Sequence, residues 1–154
     1  MQFSSEKLNF SIHPYQEGVN PPVNKPNPAF LEEIGEEGMR ALFRRFYILL
    51  FNSPIKDLFP ESEEEMQIAG QYSADFFIQI CGGPDYFNKS RGAPQMRKRH
   101  APFAITAHAR LHWLVLFEEA LAPIVTQKLA SEENIQSLWD YINIFSIWLI
   151  NSRD

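Results

Sequence analysis

The chain has 154 residues, with 14 Lys and Arg against 19 Asp and Glu; the formal net charge of −5 argues against a general nucleic-acid or anionic-membrane binder. That length suits one domain with a real core, and a single cysteine, Cys81, excludes an intrachain disulfide framework and fits a reducing compartment. No apolar run approaches the ~18 residues of a membrane span, and the N-terminus lacks the basic flank and apolar stretch of a secretory signal, so a soluble cytoplasmic protein is expected.

Five prolines, Pro14, Pro21, Pro22, Pro26 and Pro28, crowd the first 28 residues. Each lacks a backbone donor and biases its predecessor toward extended geometry, so residues 1–28 read as an irregular arm. Phe3, Leu8, Phe10, Ile12 and Tyr15 are its candidates for lying against the body. Residues 29–154 read as the folded domain. Met39, Leu42, Phe43, Phe46, Tyr47 and Leu50 recur at steps of three and four, a helical stripe. Gly35 and Gly38 precede it, predicting a short helix, a bend and a longer helix ended by Asn52-Ser53-Pro54. After Phe59-Pro60, Ser62-Glu63-Glu64-Glu65 has the spacing of a capping box and opens a helix to about Cys81, ended by Gly82-Gly83-Pro84. Gly92 and Pro94 break the next stretch, leaving about two turns of helix near 94–101. Thr106 is placed to cap a helix to about Ala122, with Trp113, Leu114, Phe117 and Leu121 on one face and Pro123 at its end. Ser131 is placed to cap a last helix to about Asn151, with Ile135, Leu138, Trp139, Ile142, Phe145 and Leu149 inward. No segment alternates with period two. The fold class is all-α.

Lys89, Arg91, Arg97, Lys98 and Arg99 put five of the fourteen basic residues within eleven positions. That run is either a solvated face or a local anion site. His108 and His112 sit four apart on a helix, but lack the intervening Glu of a zinc hydrolase motif and any third ligand, so they read as solvent-facing. His100 follows the basic run on a short segment bounded by breakers. It is either structural or an inward-aimed axial ligand beside cations that meet a cofactor's carboxylates. Tyr47 lies on an apolar stripe, so its hydroxyl needs a partner. The stripe Ala69, Ser73, Phe76, Phe77, Ile80 is small or polar in its first half, which means either a tight helix crossing or space for a bound group. No phosphate-cradling glycine loop or nucleophile elbow is present.

The run from Gly82 to Ile105, with its glycine pair, its Arg91-Gly92-x-Pro94 element and its Arg97-x-Arg99-His100-x-Pro102-Phe103 element, closely resembles the central motif of the group II truncated haemoglobins. Phe46-Tyr47, Phe59-Pro60 and Trp113 extend the resemblance over roughly residues 29–152. It implies a two-over-two truncated globin fold with an N-terminal extension, and a b-type haem (iron protoporphyrin IX) ligated by His100. Tyr47 and Trp113 match the distal pair that hydrogen-bonds bound dioxygen. Phe59 matches the aromatic at the helix corner, Phe76 and Phe77 the apolar distal wall, Met96 and Phe103 the proximal packing, and Arg99 a cation near the propionates. Ala69 and Ser73 align with distal helix positions, so the gatekeeper slot holds only a methyl group. Two departures stand out. Phe87 replaces a family tyrosine near the propionates, with Tyr86 out of register, and Ser73 stands where a larger side chain is usual.

The function implied is binding of dioxygen or another diatomic ligand; the alternative is a haem-dependent peroxidase or nitric-oxide dioxygenase. With no flavin segment in the sequence, turnover would draw electrons from an external reductase. A homodimer is a further candidate partnership, and the arm is a candidate leading helix, strap or means of association, while nucleic acid and membrane are not expected.

Overall fold

The structure is a computed structural model and describes residues 8–154. Phe3 lies outside the described residues. Among the described residues there are six α-helices and no strand: α1 Ala29–Phe51, α2 Glu63–Ile80, α3 Tyr86–Arg91, α4 Met96–His100, α5 Ala107–Thr126 and α6 Glu132–Trp148. A 3-10 turn, Lys56–Leu58, bridges α1 and α2. No helix is long and apolar enough to cross a membrane among the described residues.

The long helices form two pairs, α1 with α2 and α5 with α6, and α1 touches both members of the second pair. This is the expected two-over-two architecture. The stripe of α1 is buried as expected, and the helix is broken once, at Gly35 (φ 74°, ψ 170°). Gly38 stays helical, so one of the two expected breakers acts. Phe43, Phe46, Phe77 and Phe117 meet at the centre, with ring centroids 4.9 Å apart for Phe43–Phe77 and Phe46–Phe117. Each is at most 4% exposed, and burying a side chain of this size contributes roughly 1.5–3 kcal/mol. These four Phe rings therefore build the junction between the two helix pairs.

Ser62, Thr106 and Ser131 each accept a backbone N–H three residues on and start α2, α5 and α6. Three expectations need correcting. Residues 86–91 form a helix, α3, where breakers were expected to leave an irregular segment. One buried ring, Phe87, anchors it, and Asn88 and Gln79 exchange two hydrogen bonds at 2.9 and 3.0 Å. Six residues are too few to display a helical period. Helix α5 runs past Pro123 to Thr126, because a proline in the last turn forfeits one hydrogen bond without blocking the turn beyond it. Helix α6 stops at Trp148, short of Asn151, whose hydrogen bonds go elsewhere.

Residues 8–28 carry no helix and lie along α6. Their backbone groups bond side chains of that helix: Asn9 with Gln136, Ser11 with Trp139 and Asn143, His13 with Asn143, and Asn27 with Ser137. Phe10 meets the Trp139 ring edge-on at 5.0 Å. Leu8, Phe10 and Ile12 pack on the core as expected, whereas Tyr15 does not join them.

Candidate functional site

A cavity of about 590 Å³ opens between the six helices, within the ~300–1,000 Å³ typical of small-molecule and cofactor sites. The residues that the resemblance matched to a haem site all line it: Tyr47, Phe59, Ala69, Ser73, Phe76, Phe77, Met96, Arg99, His100, Phe103 and Trp113. Residues from Tyr47 to Trp113 in sequence thus converge on one space.

On the α4 side, His100 Nδ1 lies 2.6 Å from the Met96 carbonyl oxygen. A carbonyl only accepts, so Nδ1 donates, which leaves Nε2 as the nitrogen that can act as a ligand in the neutral tautomer. The bond spans one helical turn, so α4 itself sets the ring orientation.

On the α1 and α2 side, Tyr47 Oη and Ser73 Oγ are 2.6 Å apart. The partner that the stripe position of Tyr47 required is therefore Ser73, one helix away. Tyr47 is 7% exposed, and burial pushes its phenol above the ordinary value, against a smaller opposing effect of the Ser73 hydrogen bond. Its ring is held edge-on by Phe46 at 5.7 Å and Phe59 at 5.9 Å. Trp113 is wedged between Phe46 (5.2 Å) and Phe117 (5.6 Å). Among the described residues its indole N–H has no hydrogen-bond partner. The approach of α2 is close, since a Cβ at Gly70 would stand 3.0 Å from Tyr47 Cγ.

The basic run divides on inspection. Arg99 Nε donates to the Pro94 carbonyl at 2.6 Å, and its Nη2 donates to those of Arg91 and Ala93 at 2.7 and 2.9 Å. Its guanidinium also lies 5.1 Å from the Phe87 ring centroid. Arg99 is thus a clamp on the loop before α4, three of its N–H groups already committed. Arg91 stacks 4.4 Å over the Tyr72 ring and lines the cavity. Arg97 lies over Trp148 at 5.7 Å, and Lys89 pairs with Asp85 at 3.4 Å, both away from the cavity. Phe87 lines the cavity, whereas the Tyr86 hydroxyl donates to Glu36 at 2.9 Å, so the ring facing inward carries no hydroxyl.

Among the cavity residues the sequence reading missed, Arg110 is the charged one that is buried. Arg110 is 3% exposed, and among the described residues it has no carboxylate partner. It donates to Ser146 Oγ (2.8 Å), the His13 carbonyl (2.9 Å), and both the carbonyl and side-chain oxygens of Asn143 (2.6 and 3.1 Å). Burial holds its guanidinium down at about 10. A sequence signal existed: Arg110 is a charge on the stripe it shares with Trp113, Leu114 and Phe117. His108 and His112 sit outside the cavity with their Nε2 atoms 3.2 Å apart, and no cluster of three metal-ligating side chains occurs among the described residues.

The Bacterial-like globin family model matches residues 29–150. Group 2 truncated hemoglobin YjbI of Bacillus subtilis is 33% identical over 91 residues, covering 58% of this chain and 67% of that protein. Two-on-two hemoglobin-3 of Arabidopsis thaliana is 30% identical over 93 residues, and the match spans 58% of this chain but 52% of the plant protein. Among solved structures, phosphate-bound Hell's gate globin IV superposes with a TM-score of 0.81 at 34% identity, covering 92% of this chain and 86% of that one. The truncated oxygen-avid haemoglobin from Bacillus subtilis superposes at 0.70 with 25% identity, covering 81% and 99%. With its helices, its cavity and these likenesses in agreement, the chain belongs to the bacterial-like globin family, among the group II truncated haemoglobins, and membership implies haem-based ligand binding.

Proposed function

We propose that this globin holds b-type haem through His100 and binds dioxygen and other small diatomic ligands on the side of Tyr47 and Trp113. The observation that carries the reading is one apolar cavity with a bare imidazole nitrogen on one wall and hydrogen-bond donors on the other. The residues fit the group. Haem is a flat apolar disc with anionic tails whose iron takes an imidazole, and when bound it supplies the metal centre at which a diatomic ligand is held.

His100 would take the iron at Nε2, with the Nδ1 bond to Met96 fixing the ring and raising its basicity. Phe59, Phe76, Phe77, Met96 and Phe103 would flank the disc. Ala69 leaves the ligand route narrowed only by a methyl group. Arg91, exposed at the cavity margin, suits the carboxylate tails better than Arg99, whose N–H groups already meet carbonyls.

The Tyr47–Ser73 pair holds two hydroxyl hydrogens and uses one between its oxygens, whichever residue donates. The other stays available to a ligand. Burial keeps the Tyr47 phenol protonated, and the Trp113 N–H adds a second donor. A hydrogen bond to a ligand oxygen bearing partial negative charge is worth about 1.5–3 kcal/mol, an order of magnitude or more in dissociation rate.

Absorption spectra of the ferric, ferrous and dioxygen-exposed protein test the cofactor. His100→Gly is expected to abolish normal ligation, with imidazole restoring it; full haem content with unchanged ligation in that variant would overturn the proximal assignment. Tyr47→Phe combined with Trp113→Phe is expected to speed dioxygen dissociation about tenfold or more. An unchanged rate would remove the distal argument.

A further inference from the structure

We infer that Asn151, three residues beyond the end of α6, is a positioning residue for His100; the inference rests on the reading of His100 as the haem ligand. Helix α4 has five residues and ends at His100, and residues 101–104 after it are exposed turn. The Met96 bond orients the imidazole within α4, but it cannot set where α4 stands relative to the cavity. That task falls to groups outside the helix.

The Asn151 side chain meets residues 100–105 at three backbone atoms. Its Nδ2 donates to the carbonyl of His100 at 3.2 Å and to that of Phe103 at 2.8 Å. Its Oδ1 accepts from the Ile105 N–H at 2.9 Å. The backbone N–H groups of Asn151 and Ser152 both donate to the Ile105 carbonyl at 3.0 Å, and Ser152 Oγ donates to Oδ1 at 2.8 Å. Two carbonyls demand a donor and one N–H demands an acceptor, so the amide orientation is dictated by its partners. Aspartate lacks the donor and leucine lacks both. The early end of α6 lets the chain turn back so that Asn151 faces residues 100–105.

The clamp acts on the carbonyl of the ligand residue itself. Its loss frees the end of α4, and with it the distance and tilt at which Nε2 meets the iron. The test compares haem-loaded wild type, Asn151→Ala, Asn151→Asp and, as a tail control, Arg153→Ala, whose ion pair with Glu17 lies apart from the clamp. Two quantities are read: the iron–histidine stretching frequency of the ferrous form, and the rate of haem transfer to an acceptor apo-globin. Asn151→Ala and Asn151→Asp are expected to shift the frequency and to speed haem loss about three- to tenfold, with Arg153→Ala unchanged on both. Asn151→Asp keeps the Ile105 and main-chain bonds, so it serves if Asn151→Ala fails to fold. His100→Gly separates the two ideas. If that variant retains the iron–histidine band, the ligand assignment has failed. If it loses the band while both Asn151 variants keep wild-type frequency and haem loss, the positioning role is overturned.

Discussion

The two walls of the cavity are held by different physics. The wall of α1 and α2 is helix packed on helix, with Phe46 completely buried and the Tyr47–Ser73 pair carried on two mutually fixed stripes. The wall carrying His100 is two short helices and their turns, in which Phe87 is the one fully buried side chain and polar clamps tie backbone to side chain. Close packing over-determines the first wall, so its geometry resists local change. Hydrogen bonds to exposed or half-buried backbone hold the second, and such bonds open locally at lower cost. The Tyr47–Ser73 pair thus sits on the stiff wall and the imidazole on the adjustable one.

The largest effect that would break this contrast is in the packed wall. Phe46→Ala is expected to lower global stability by about 3–5 kcal/mol, read from denaturant unfolding, since it empties the centre of the ring cluster. A loss under about 1 kcal/mol would mean the wall is not packed as described.

Cys81 lies at the seam, the last residue before the glycines that lead to the His100 wall. Burial pushes its thiol from 9.0 up to about 12. The folded state therefore holds this proton more tightly than the unfolded chain, so the contribution is complete below about pH 9 and is lost as pH rises toward 12. Stability should fall by about 1.4 kcal/mol per pH unit across that window from this group. Cys81→Ala is expected to flatten the slope; an unchanged alkaline profile would assign it elsewhere.

On the clamped wall, Arg99→Met removes charge-assisted bonds to three carbonyls. Amide exchange within residues 94–100 is expected to speed about ten- to a hundredfold, equivalent to about 1.5–3 kcal/mol of local opening, while the global unfolding midpoint moves little. A global loss as large as that of Phe46→Ala would erase the distinction between the walls. The smallest expected effect is at the start of α2: Ser62→Ala removes the cap on Glu65 and should cost about 1 kcal/mol in unfolding measurements.

The long helices, their caps and the aromatic stripes were legible because period and cap chemistry are local properties of the chain. The candidate site was legible through a motif, Gly82 to Ile105, and through Tyr47 as a polar group on an apolar stripe. What escaped was non-local or too short. Helix α3 has six residues and one buried ring, so it carries no period. Arg110 broke the α5 stripe in plain view, but its partners come from the arm and α6, 33 to 97 residues away. The resemblance makes Arg99 a cation near the propionates, and no local pattern reveals that three carbonyls of the preceding segment turn toward it.

By itself, then, the sequence determined an all-α chain, its Phe-rich stripes and the motif that carries the family resemblance, because each of these is written in spacing or motif. Only the tertiary structure decided which polar groups find one another: Tyr47 with Ser73, Arg99 with its own loop, Arg110 with the arm, and Asn151 with the carbonyl of His100. Such pairings depend on where separate elements come to rest. A side chain's spare donors and acceptors are visible in its formula, but the partners that satisfy them exist only once the chain has folded.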